Sequence, residues 1–96
     1  MRVLAVATPG HTPGHASVIA IDDEGRHILL AGDVSDSLEQ LQDRRPDAIA
    51  PDPDKLVETM DRVHEHARRH PTVYLPSHDP ESAARLRKRT LLCECG

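Results

Sequence analysis

The 96-residue sequence predicts an α/β domain with its elements in the order β-β-β-α-β-α. Three observations predict it. Short apolar runs of Val, Ile, Leu and Ala end at proline, glycine or aspartate turns, as buried strands do. One longer segment instead spaces its apolar residues by threes and fours, the signature of a helix laid on a core. A further apolar run follows that helix, as a strand returning to the same sheet does.

The first strand is "RVLAVA", residues 2–7, stopped by the loop "TPGHTPGH". The second is "ASVIAID", residues 16–22, rich in β-branched residues. The turn "DDEG" leads into "RHILLAGD", residues 26–33, so the second and third strands read as a hairpin. Residues 35–45 are polar and helical in character, and residues 46–53 form an irregular connection. A helix then starts at Pro53. Asp52 can cap its free backbone N–H groups, and proline at the first helical position sacrifices no hydrogen bond. Leu56, Met60, Val63 and Ala67 form its apolar stripe, which runs to about His70. Residues 72–76, "TVYLP", make a fourth strand, and Asp79-Pro80 repeats the cap-plus-proline start for a last helix over residues 80–89.

Composition narrows the function classes. Hydrophobic residues make up 38% of the chain and Tyr74 is its only aromatic, so small aliphatic side chains fill a thin core. The net charge of −4 and pI near 5.9 argue against nucleic acid as a partner, because binders of the phosphate backbone carry a basic surplus. No apolar run approaches the roughly 20 residues that span a bilayer, and the start lacks the form of a secretory signal. The sequence therefore predicts no membrane partner and a cytoplasmic location. Cys93 and Cys95 sit too close together for an unstrained disulfide and have no second pair to complete a thiolate zinc site, so they read as free thiols.

His11 follows the first strand, Asp33 ends the third and His78 follows the fourth. In α/β folds, loops at strand ends point side chains into a shared crevice. Two imidazoles and a carboxylate gathered there suit zinc, which accepts His nitrogen and Asp oxygen at about 2.0–2.2 Å. On spacing alone a histidine after a strand is more often a hydrogen-bonded loop residue than a ligand.

The three motifs "TPGHTPGH", "LLAGD" and "LPSHD", in that order, resemble the C-terminal half of a metallo-β-lactamase-fold hydrolase. Among these the sequence is most similar to the N-acyl-homoserine lactonase branch, with the hydroxyacylglutathione hydrolases second. The resemblance implies that residues 1–89 are the C-terminal half of an αββα sandwich, with 90–96 as a tail. It implies His11 as a ligand of a first zinc, Asp33 as the carboxylate bridging two zincs and positioning the water they activate, and His78 as a ligand of the second. His15 is then a histidine behind the metal ligands that orients one of them, or a structural one. The implied chemistry is hydrolysis of a small-molecule ester or lactone, the quorum-quenching activity of that branch, by water activated between two metals.

Two departures matter. The family draws its other ligands from an upstream "HxHxDH" motif that this sequence does not contain, leaving each metal two protein ligands where a catalytic zinc has three. The nearest string, "HEHARRH" at residues 64–70, lies on the amphipathic helix, and with Arg68 and Arg69 between its histidines it reads as a solvated helix end. Lactonases also carry a tyrosine where this chain has Asp36. The expectation is a truncated chain, inactive alone. Beside it stand two others: a non-catalytic half-domain that pairs with itself or with a partner supplying the missing half, and a small metal-binding module built on His11, Asp33 and His78.

Overall fold

The computed structural model describes residues 2–46 and 50–92, so Cys93 and Cys95 lie outside the described residues. Seven elements follow one another: β1 (Arg2–Ala7), β2 (Ala16–Ile21), β3 (His27–Gly32), α1 (Leu38–Asp43), α2 (Pro53–Arg69), β4 (Thr72–Pro76) and α3 (Ser82–Lys88). The strands form one sheet in the order β1-β2-β3-β4. The first three make an antiparallel meander, and β4 joins parallel to β3 after α2 has carried the chain across the sheet. Both β3 and β4 therefore end on the same side of the sheet.

Helix α2 forms for the reasons the sequence supplies. Asp52 accepts from the Lys55 backbone N–H at 3.1 Å and Pro53 opens the first turn. Its stripe of Leu56, Met60, Val63 and Ala67 is buried, and the first three pack with Ile19, Leu29, Ala31 and Tyr74 on one sheet face. Leu41 of α1 completes that core. On the opposite face Ile28, Val73 and Leu75 form a smaller cluster, with Ala20 and Leu91 against it. Leu92 donates its backbone N–H to Thr72 and packs on the larger core, so the chain after α3 returns to the sheet. By register Val3, Val18 and Leu30 share the second face, yet all three are exposed, Val3 by 65%.

Several boundaries differ from expectation, β2 stopping at Ile21 and β3 starting at His27 among them. The third strand stops at Gly32, where a φ of +57° turns the chain just before Asp33. Helix α1 is shorter than residues 35–45. Ser35 is bound to Tyr74 and to the Ser37 carbonyl, Ser37 caps the helix by accepting from Gln40, and Arg44 in the left-handed region ends it. Asp79-Pro80 does not start α3, whose N-cap is Glu81 with no side-chain bond. Asp79 is committed elsewhere. Its carboxylate accepts from the Leu38 and Glu81 backbone N–H groups at 3.0 and 2.9 Å and pairs with Arg85 at 2.8 Å. Burial pushes its pKa up, but those donors outweigh it and hold the carboxyl below its ordinary range.

Candidate metal centre

The loop between β1 and β2 is closed on itself before it presents any side chain. Thr8 donates its backbone N–H to the His15 carbonyl at 3.0 Å, and Gly10 and His15 both donate to the Thr12 carbonyl. The Thr59 hydroxyl of α2 donates to the Pro9 carbonyl. At Gly10 a Cβ would stand 2.4 Å from the Leu56 Cα, and its φ of +140° lies where side chains are strained. Only glycine lets this loop lie directly on α2. His11 projects from that fixed turn.

Asp33 and His78 come together because β3 and β4 are parallel neighbours. Gly32 pairs with Pro76 in register, and Ser77 donates its N–H to the Gly32 carbonyl at 2.9 Å. His78 Nε2 lies 3.0 Å from Asp33 Oδ1, and His11 Nε2 lies 3.7 Å from Asp33 Oδ2. The two carboxylate oxygens thus face two different imidazoles. The structure brings together all three residues that the sequence singled out.

His15 sits behind them. Its Nε2 accepts the Asp33 backbone N–H at 3.0 Å, which places the ring proton on Nδ1, 3.0 Å from the Thr8 carbonyl. Thr8 Oγ1, 2.8 Å from the same nitrogen, continues to the Ser17 hydroxyl, and Ser17 donates to the Ala31 carbonyl. This buried chain ties the loop to the end of β3. A Cβ at Gly32 would meet His15 Nε2 at 2.9 Å, so glycine makes room for the ring as well as for the turn. Tyr74 donates to Ser35, which itself donates to the Ser37 carbonyl, and burial pushes the phenol well above its ordinary pKa. It is a fixed core donor.

Sequence reasoning missed two features. One is the Asp79–Arg85 pair next to His78, both side chains being largely buried. The other is at the far end of β3, where His66 of α2, expected to be solvated, bonds His27. The helical spacing of His66 and His70 was a visible signal, but His27 could not be joined to it without knowing how α2 lies on the sheet.

Solved structures resemble this fold. An N-acyl homoserine lactone hydrolase with the product N-hexanoyl-L-homoserine bound at its catalytic metal center matches with a TM-score of 0.73 and 28% identity, covering 85% of this chain and 32% of that one. The chain's α/β fold matches part of the metallo-β-lactamase fold, and the chain is related to the N-acyl-homoserine lactonases over part of their length. A hydrolase of the beta lactamase superfamily, AbOPH, matches with a TM-score of 0.69 and 26% identity over 83% of this chain and 28% of its own. Among curated proteins, the N-acyl homoserine lactonase AttM of Rhizobium radiobacter is 24% identical over 83 residues, 86% of this chain and 32% of AttM. This chain therefore spans about a third of the length of the curated relatives it matches. No family model matches the sequence. None of the helices in the described residues is long and apolar enough to cross a membrane.

The donor chemistry of His11, Asp33 and His78 fits zinc in kind, since imidazole nitrogen and carboxylate oxygen are among its ordinary ligands. It falls short in number. Among the described residues no three His, Cys, Asp or Glu side chains are arranged around one ion.

Proposed function

We propose that this chain contributes His11, Asp33 and His78 to the two-zinc centre of a metallo-β-lactamase-fold hydrolase, and that the remaining ligands come from outside these 96 residues. The observation that carries the reading is the carboxylate of Asp33, whose two oxygens each face a separate imidazole. A carboxylate so placed suits two cations held side by side, because its charge offsets their mutual repulsion.

In this reading residues 1–89 are the C-terminal half of the sandwich and the tail begins at residue 90. Bound zinc supplies Lewis acidity toward an ester or lactone carbonyl and acidifies water. The chain's own part is positional. Gly10 and Gly32 set the loops, His15 holds the Asp33 backbone, and His11 and His78 hold their ring nitrogens toward the carboxylate. The substrate class is a small ester or lactone of the N-acyl-homoserine type, supported by relatives named as lactonases and by a relative with N-hexanoyl-L-homoserine at its metal center. The setting in this reading is cytoplasmic.

Two ligands per metal predict weak zinc binding and no turnover by this chain alone. Turnover of an N-acyl-homoserine lactone should appear when a segment bearing "HxHxDH" is supplied, as a fused or co-expressed half, and should vanish in Asp33→Asn. Hydrolysis by the unaccompanied chain at added zinc would refute the ligand count. The exposed Val3, Val18 and Leu30 favour a second reading, in which a second copy or a partner covers that sheet face. A monomer by light scattering across a wide concentration range would contradict self-pairing.

A further inference from the structure

At the start of β3 three imidazoles from two elements meet. His27 Nδ1 lies 2.9 Å from His66 Nε2, and the His70 ring stacks on His27 with centroids 4.3 Å apart and planes 14° from parallel. His66 and His70 are themselves 4.8 Å apart. Beside them opens a cavity of about 310 Å³ between β1, the sheet and α2. Val6, Ile19 and Leu29 give it an apolar wall, while Arg62 and His66 of α2 and His70 at its C-cap supply polar groups.

Its charges do not balance. Glu65 is the one carboxylate among the lining residues, and Arg68 and Arg69 already hold it at 3.3 and 3.2 Å. No carboxylate of the described residues pairs with Arg62, and Arg2 adds a further positive charge near His27. A space of this size, at the small end of the range for ligand sites of roughly 300–1,000 Å³, suits a molecule with an apolar body and one polar end. A cationic rim selects the sign of that end.

We propose that this cavity binds a small amphiphilic anion, its charged head at Arg62 and the imidazoles and its short alkyl chain against Val6, Ile19 and Leu29. The site is separate from His11, Asp33 and His78 and does not rest on the zinc reading. The charged and titratable groups that line it are Arg62, Glu65, His66 and Arg69 of α2 and His70 at the end of that helix; behind them His27 of β3 touches His66 and His70, and Arg2 of β1 lies near His27. Burial, then neighbouring positive charge, holds His27 and His66 below the ordinary histidine range. An anion favours their protonated forms, so binding takes up protons and tightens as the pH falls.

Titration of the chain with 1-hexanesulfonate, anionic throughout, and with neutral 1-hexanol tests this by calorimetry and amide NMR. The sulfonate should bind at least about tenfold more tightly, as a charge-assisted contact requires, and should shift the resonances of Val6, Ile19 and Leu29. Its affinity should rise from pH 7.5 to 5.5, and should rise less in His66→Gln. Arg62→Gln should cost about tenfold and Arg62→Lys much less. Equal affinities for the sulfonate and the alcohol, shifts confined to other residues, or unchanged affinity in Arg62→Gln would each overturn the proposal. Because the comparison of the two probes uses the unaltered chain, it stands even where a variant fails to fold.

Discussion

The two ends of β3 carry two histidine groupings that differ in one respect. Beyond its C-terminal end, His11 and His78 converge on a carboxylate. At its N-terminal end, roughly 20 Å away at the usual rise of a strand, His27, His66 and His70 converge on one another with arginines around them. The residue type is the same and the charge partner is opposite. An imidazole beside an anion is ready to share a cation, whereas imidazoles packed together in partial burial resist charge unless an anion arrives. A histidine count therefore carries little functional information until the neighbouring charges are known.

The largest effect should separate the two ends structurally. Gly10→Ala forces a Cβ against the Leu56 backbone, and overpacking of this kind should cost about 3 kcal/mol or more in chemical denaturation. Its local consequences should fall on the loop bearing His11, with the His27–His66 contact retained in NMR spectra of the folded fraction. Next in size, Asp33→Ala should abolish what zinc affinity the chain has, a larger loss than the roughly 10- to 100-fold typical of removing an outer partner. The pair His27→Gln with His66→Gln should leave that affinity unchanged by calorimetry. If instead zinc binding follows the second pair, the assignment of the two ends is reversed.

His15→Ala should weaken zinc binding by about 10- to 100-fold, the range for an orienting residue, and the Asp33 amide resonance should move even without metal because its acceptor has gone. An unmoved amide would remove His15 from that role. The smallest effect is the acid sensitivity of the other end. Above the ordinary histidine pKa of 6.5, His27 and His66 are neutral in both folded and unfolded chains and contribute no pH dependence. As the pH drops below that value the unfolded chain takes up protons that the folded chain refuses, so stability declines until their lowered folded-state values are reached. The Tm should therefore fall between pH 7 and 5, and fall less in His66→Gln. Identical slopes in the two proteins would count against the burial argument.

Much of this was legible in the sequence because it depends on neighbours along the chain. The boundaries of β1 and β4 follow from the proline and glycine that stop them, and α2 follows from Asp52-Pro53 and a stripe that is buried as its spacing requires. The meeting of His11, Asp33 and His78 was readable from strand ends and from three ordered motifs. What escaped depends on distance along the chain. Asp79 reads as a helix cap until Leu38, on another element, is seen to donate to it. His27 reads as a polar strand start until the rotation of α2 brings His66 against it.

Strand β1 lies at one edge of the sheet, with Val3 and Leu4 exposed and Arg2 as its only charge. An edge of that kind offers unpaired backbone groups along an apolar strand, the template on which a second chain adds by main-chain hydrogen bonding. Natural edges are guarded by lysine, proline or a bulge, and β1 has none of these within its span. Self-association of this molecule should then rise with concentration through strand addition. A single charge on the strand, such as Val3→Lys, offers a way to keep it in solution.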